Sequence, residues 1–99
     1  MRLTSEQSQQ IKREAAQVFG QPVEVVLFGS RVQDHRRGGD IDLLVRFVEP
    51  VTDPTFRAAR LGARLSRVFN GRKVDVLVQG PSIRRLPIHE VAEQTGVQL

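Results

Sequence analysis

Apolar residues recur along this chain at two spacings, one typical of helices and one typical of strands. The helical spacing predicts helices from Thr4 or Ser5 to Gly20, over residues 54–69 and over residues 87–96. Thr4 or Ser5 can cap the first helix. Asp53 is the expected N-cap of the second, because a proline follows it at the first helical position.

Three other stretches are continuous or alternating apolar runs, which predict strands over residues 23–28, 40–48 and 72–79. Between the first two strands, a serine after Gly29 can cap a short helix, and the polar residues 33–39 predict a loop. The order is therefore helix, strand, short helix, strand, helix, strand, helix. We expect a single α+β domain over residues 1–99, with a small mixed β-sheet and helices mainly on one face.

Two carboxylates lie at the start of the second predicted strand. Asp40 and Asp42 alternate with apolar residues, so on a strand they share one face with Cβ atoms roughly 7 Å apart. Aspartate is disfavoured in strands, and two like charges at this separation repel by about 2–3 kcal/mol at an effective dielectric of about 20. A fold tolerates this pair most readily when a cation lies between the two carboxylates.

A third carboxylate, Asp75, lies in the valine-rich third strand, on the face opposite to the valines. If this strand lies beside the strand of Asp40 and Asp42, three carboxylates meet on one exposed face of the sheet. Carboxylate oxygens are the ligands that Mg²⁺ prefers. Two such ions about 3.5–4 Å apart can hold the attacking and leaving oxygens of an in-line phosphoryl transfer. The three residues therefore indicate a catalytic site with two Mg²⁺ ions.

The segment after the first strand, Gly29-Ser30-Arg31, offers groups that bind a nucleotide. Glycine lets a phosphate approach the backbone, and Ser30 offers a hydroxyl at the N-terminus of the expected short helix, where N–H groups are free. The guanidinium of Arg31 can add a charge-assisted hydrogen bond. Taken alone, Gly29-Ser30 also fits an ordinary strand-to-helix turn. The three carboxylates favour the phosphate-binding interpretation.

Gly29-Ser30, Asp40-Ile41-Asp42 and Asp75 together resemble the motif of the polymerase-β-type nucleotidyltransferase superfamily. Within it, the chain is similar to the minimal nucleotidyltransferases (MNT), which are often paired with HEPN-domain toxins. The resemblance covers about residues 23–78. It implies a minimal nucleotidyltransferase fold in which Gly29 and Ser30 hold the triphosphate, Asp40 and Asp42 bind both metal ions, and Asp75 binds the catalytic ion and helps to deprotonate the acceptor.

By this resemblance, the protein is an antitoxin that uses Mg²⁺ to transfer AMP from ATP to a hydroxyl of its HEPN-type toxin, a tyrosine in similar proteins. Two alternatives stay open. Many relatives have a longer segment before the first aspartate and a serine where this chain has Gly39, which is compatible with a catalytically weak antitoxin that acts by direct binding. The net charge of +4 is compatible with a nucleotidyltransferase that acts on tRNA.

Composition narrows the class of protein further. Thirteen of the fifteen basic residues are arginines, whose planar guanidinium suits phosphate, although a GC-rich coding bias explains this equally well. There is no cysteine, no long apolar run and no apolar leader segment. We therefore expect a cytoplasmic protein without disulfides and without a membrane partner.

A stripe of arginines and two histidines complete the candidate residues. The stripe consists of Arg57, Arg60, Arg64 and Arg67 at helical spacing, and it is either a docking surface for an acidic partner or RNA or a solvated helix face. His35, in the polar loop, is a candidate contact for nucleotide or acceptor. His89 is expected at the surface of the last helix.

Overall fold

The computed structural model describes residues 3–29 and 40–99, and its elements follow the predicted order. They are α1 (Ser5–Phe19), β1 (Glu24–Phe28), β2 (Ile41–Arg46), α2 (Pro54–Val68), β3 (Val74–Gln79), α3 (Pro87–Thr95) and β4 (Val97–Gln98). The sheet has the order β3-β2-β1-β4, with β2 and β3 parallel and the other neighbours antiparallel. The α+β class and the mixed sheet are confirmed, and β4 is an addition that the sequence pattern did not predict.

Local signals set the ends of the first two helices. The Thr4 hydroxyl accepts a hydrogen bond from the Gln7 N–H at 3.0 Å, and the Gln7 side chain accepts one from the Thr4 N–H at 2.9 Å, which forms a capping box. Gly20 ends α1 in a left-handed conformation with φ of 69°. Asp53 is the N-cap of α2, as predicted, and its carbonyl oxygen accepts a 3.0 Å hydrogen bond from the Arg57 N–H, although its side chain makes no cap hydrogen bond. Pro54 in the first turn starts this helix.

One face of the sheet is buried under α1 and α2. Ile41, Leu43 and Val45 alternate along β2, and each is fully buried against apolar residues of both helices. Burial of one such side chain contributes about 1.5–3 kcal/mol. The larger of the two apolar clusters lies on this face, which therefore supplies most of the core. At Gly62 the helix lies so close to β3 that an added Cβ would be 2.7 Å from the Val74 carbonyl oxygen.

The other face of the sheet carries α3 over its middle. Ala92 of α3 packs on Leu44 and Val26 in a second, smaller core. Two helices therefore lie on one face and the shortest on the other, which agrees with the prediction of helices mainly on one face. Asp42 and Asp75 lie at one end of this second face, and the Asp75 side chain is 49% exposed. None of the helices in the described ranges is both long and apolar enough to cross a bilayer.

Candidate functional site

The register of the two parallel strands places Asp42 and Asp75 side by side. They are Cα partners in the β2–β3 pairing, and neighbouring strands lie about 4.7–4.9 Å apart. Partners in register project to the same face of a sheet, which here is the face opposite to the main core. The predicted juxtaposition of the two aspartate-bearing strands is confirmed.

Asp40 lies one residue before β2 and is exposed. The N–H of the next residue, Ile41, donates a 2.9 Å hydrogen bond to the Lys73 carbonyl oxygen. This bond extends the β2–β3 ladder past the start of both strands, so that Asp40 falls opposite Lys73. All three aspartates therefore lie at the same end of the β2–β3 pair.

A lysine stands beside this group of carboxylates. Lys73 Nζ lies 3.8 Å from Asp75 Oδ1, and the two side chains are 70% and 49% exposed. An exposed ion pair of this kind contributes little to stability. Among residues 3–29 and 40–99, no three His, Cys, Asp or Glu side chains are already gathered as a metal-binding group. The carboxylates therefore fit Mg²⁺ by donor type and strand placement without being preassembled around an ion.

Gly29 ends β1 directly against the Asp42 carboxylate. Its φ is 81°, and a Cβ built there would overlap a carboxylate oxygen of Asp42 and lie 3.2 Å from its Cγ. Only glycine meets both conditions without strain. The backbone at the end of β1 therefore lies directly against a candidate metal ligand. Ser30 and Arg31, with the predicted short helix, lie outside the described residues, as does His35.

His89 is buried, so the predicted surface position is wrong. The side chain is 2% exposed, its Nδ1 accepts a hydrogen bond from the Leu86 N–H at 2.9 Å, and its Nε2 lies 2.8 Å from the Val78 carbonyl oxygen. Because Nδ1 accepts, the proton is on Nε2, which donates to Val78. The side chain thereby satisfies the backbone at the start of α3 and takes no part in the aspartate site.

A charged network fastens α3 at the opposite end of the same sheet face. Glu93 on this helix pairs with Arg85 and, at 3.4 Å, with Arg46, which also contacts Glu24 at 3.1 Å. The hydrogen bond from Arg85, followed by that from Gln79, lowers the pKa of Glu93 to about 2. A groove of about 640 Å³ lies beside this network, away from the aspartates. Sequence reasoning missed the network because Glu24, Arg46 and Glu93 come from β1, β2 and α3, which are distant in sequence.

The arginine stripe on α2 divides into two pairs. Arg57 donates to the Val18 carbonyl oxygen at 2.6 Å, and Arg64 contacts Glu14 at 3.2 Å, so both tie α2 to α1. Arg60 and Arg67 are exposed. The predicted stripe is therefore partly structural, and only its exposed pair presents charge to a partner.

Comparisons with known proteins agree with this geometry. A family model described as "Nucleotidyltransferase domain" matches residues 8–95. A crystal structure titled as a mutant of the toxin-antitoxin MntA-HpeT has a chain of similar fold, with a TM-score of 0.68 and 18% sequence identity over 97% of this chain and 71% of that chain. No curated protein matches the sequence. The family match covers most of the chain, and the structural likeness supports the same fold.

Proposed function

The chain belongs to the nucleotidyltransferase domain family, and we propose that it transfers AMP from ATP to a hydroxyl group of a partner protein, as the antitoxin of a HEPN/MNT pair. The observation that carries this proposal is the position of Asp42, which lies between Asp75 on one neighbouring strand and the Gly29 turn on the other. A nucleotidyl transfer needs carboxylates that bind metal ions and, at the same place, a stretch of backbone that a phosphate can approach closely.

Each candidate residue has a role in this proposal. Asp40 and Asp42 hold two Mg²⁺ ions, Asp75 holds one of them, and Gly29-Ser30-Arg31 binds the triphosphate. The bound ions would supply Lewis-acid stabilisation of charge on the phosphates. Asp75 also accepts the proton of the acceptor hydroxyl. Its location on the exposed end of β3 supports this role, because an acceptor can reach it from solvent.

The reaction replaces a phosphoanhydride bond of ATP by a phosphoester bond to the acceptor. The acceptor oxygen loses its proton to Asp75 and bonds to the α-phosphorus of ATP, while the bond from that phosphorus to the bridging oxygen breaks and pyrophosphate leaves. In-line displacement puts the entering and leaving oxygens on opposite sides of the phosphorus. The sheet has Gly29 on the β1 side of Asp42 and Asp75 on the β3 side. We therefore place the departing pyrophosphate on the β1 side and the acceptor on the β3 side.

Two observations support a protein acceptor in a toxin–antitoxin pair. The structural relative is titled as a toxin-antitoxin, in a form that changes two aspartates two positions apart to glutamate, which is the spacing of Asp40 and Asp42 here. The present chain contains no tyrosine, so transfer to a tyrosine requires a second protein. A stoichiometric AMP adduct on this chain alone, detected by mass spectrometry with ATP and Mg²⁺, would instead indicate a serine or threonine acceptor in the chain itself.

Label transfer tests the proposed activity directly. The protein is incubated with Mg²⁺, ATP labelled on its α-phosphate and a purified HEPN-type toxin. We expect Asp42→Asn to lower the rate by about 10²-fold or more, because a lost metal ligand forfeits several kcal/mol of charge stabilisation. Asp53→Asn is the matched control, since Asp53 is exposed and asparagine tolerates its left-handed backbone. Equal labelling by wild type and Asp42→Asn would refute the site.

A catalytically weak antitoxin that acts by direct binding is the second candidate. It is favoured by Gly39, which stands where many relatives have a serine, and by the segment before Asp40, which is shorter than in many relatives. The double variant Asp40→Asn/Asp42→Asn separates the two functions. Full neutralisation of the toxin by this variant would support direct binding, and loss of neutralisation with intact binding would support AMP transfer.

A further inference from the structure

Lys73 completes a group of four charged residues at the candidate site. It directly precedes β3, two positions before Asp75, and the residue between them, Val74, is buried in the main core. Strand alternation therefore places Lys73 and Asp75 together on the opposite face of the sheet, which is the face of the candidate site. The 2.9 Å hydrogen bond from the Ile41 N–H to the Lys73 carbonyl oxygen extends the ladder by one residue and puts Lys73 opposite Asp40.

The four residues occupy the corners of a small rectangle on two neighbouring strands. Asp40 and Asp42 lie along one side, and Lys73 and Asp75 lie along the opposite side. Residues two positions apart on a strand are separated by about 6.5–7 Å, and neighbouring strands by about 4.7–4.9 Å. Three corners carry carboxylates, and the fourth carries an ammonium group on a flexible four-carbon stem. A positive charge therefore belongs to the same small area as the three candidate metal ligands.

The structure pairs this ammonium group with the carboxylate on its own strand. Lys73 Nζ lies 3.8 Å from Asp75 Oδ1, and the two side chains are 70% and 49% exposed. Because both groups are open to solvent, the pair adds little to the stability of the fold. Its consequence is local: Lys73 compensates one of the three negative charges at the place where a metal ion has to bind.

The charge of Lys73 acts in opposite directions on two forms of a divalent metal ion. A bare cation that binds the carboxylates comes close to the ammonium group, which repels it. A cation bound to a nucleoside triphosphate belongs to a complex of net negative charge, because one divalent ion does not neutralise all of the phosphate charge. Lys73 attracts this complex. For solvent-exposed charges a few ångströms apart, either interaction changes a dissociation constant by about threefold to tenfold.

We propose that Lys73 is the counter-ion of the carboxylate site and that it makes the site prefer the metal–nucleotide complex to the bare metal ion. Its ammonium group stays with Asp75 in the absence of an ion, and it releases this carboxylate when the complex binds, because the phosphates then balance its charge. Lys73 is thereby a specificity-determining residue. This inference rests on the proposed function for the metal ion and the nucleotide, but both binding steps are measurable without any transfer.

Isothermal titration calorimetry tests this preference with two probes: Mn²⁺ alone, and an equimolar mixture of Mn²⁺ and α,β-methylene-ATP, which cannot donate AMP. For Lys73→Gln, we expect Mn²⁺ alone to bind about threefold to tenfold more tightly than to wild type, because the repulsion is removed. The Mn²⁺–nucleotide complex should bind the same variant about threefold to tenfold more weakly. Lys73→Arg keeps the positive charge and should retain the preference of wild type.

Lys12 provides the matched control, because it is the other of the two lysines in the chain. It lies on α1, which packs on the opposite face of the sheet, so Lys12→Gln removes the same charge from the protein at a distance from the site. This variant should bind both probes as wild type does. The proposal is overturned unless the two affinities of Lys73→Gln change in opposite directions, and it is also overturned if Lys12→Gln shows the same two changes.

The Asp42→Asn variant and the label-transfer assay separate this inference from the proposed function. Equal Mn²⁺ binding by wild type and Asp42→Asn, or no binding by either, would refute both the proposed site and the role of Lys73. Loss of Mn²⁺ binding in Asp42→Asn without opposite changes in Lys73→Gln would refute only the role of Lys73. Opposite changes in Lys73→Gln without any AMP transfer to the toxin would refute the transferase and leave the role of Lys73 in binding standing.

Discussion

The contact between Gly29 and Asp42 gives the most direct test of the candidate site. Gly29→Ala puts a methyl group where φ is 81° and where a carboxylate oxygen of Asp42 already lies. The left-handed backbone costs about 1–2 kcal/mol for a residue with a Cβ. The overlap with the carboxylate is a second, steric effect, since either the turn or the Asp42 side chain must move. We expect a lower stability and a displaced metal ligand.

Gly71→Ala separates these two effects. Gly71 has a φ of 86°, close to that of Gly29, but no atom lies within 4 Å of an added Cβ. Both variants should lose about 4–8 °C in Tm for each kcal/mol of backbone strain. Mn²⁺ should raise the Tm of wild type and Gly71→Ala by mass action on the folded state, and it should fail to do so for Gly29→Ala. An equal Mn²⁺ shift in both variants would refute the reasoning.

Two further predictions concern the packing of helices on the sheet. The pKa of Glu93 is lowered from its ordinary value of 4.5 to about 2. Its ion pair with Arg85 therefore stabilises the fold at pH values above 4.5, and this stabilisation is lost as the pH falls from 4.5 towards 2. The urea midpoint of Glu93→Gln should be below that of wild type at pH 7, and the two midpoints should converge over the same pH range. Gly62→Ala should lower the free energy of unfolding by about 1–3 kcal/mol, because the alanine Cβ would meet the Val74 carbonyl oxygen. Helix propensity alone predicts the opposite, a higher Tm, and that result would contradict the close packing of α2 on β3.

The part of the site that lies on β2 and β3 could be predicted from the sequence because strand alternation is a local property. Aspartates two positions apart share a face in any strand, and the apolar residues between them fix which face is buried. The observed burial of Ile41 and Leu43 follows from that rule alone. The pairing of Asp42 with Asp75 needed one further assumption, that a helix connecting two strands makes them parallel neighbours.

Features that depend on distant backbone groups could not be predicted in this way. His89 is buried because the Leu86 N–H and the Val78 carbonyl oxygen satisfy both ring nitrogens, and nothing near it in sequence identifies the second partner. β4 has two residues, and its pairing with β1 spans about seventy positions of the chain. Helical spacing places Arg57 in a surface stripe, but it does not reveal that the Val18 carbonyl oxygen lies within reach of this side chain.

On the second face of the sheet, the ion pairs that hold α3 and the carboxylates of the candidate site lie at opposite ends. Asp42 and Arg46 lie four residues apart on β2, which corresponds to about 13 Å. Between them, Leu44 is buried under α3, and the ion pairs that fasten this helix stand at the Arg46 end. Apolar packing reaches the Asp42 end through Phe28, which is the register partner of Asp42 and lies in the same core as Ala92. The ion pairs of α3 stand apart from the carboxylates, so a cation or an acceptor can bind there without displacing them. This division explains how a chain of 99 residues can keep one end of its sheet open to solvent and still have a stable core.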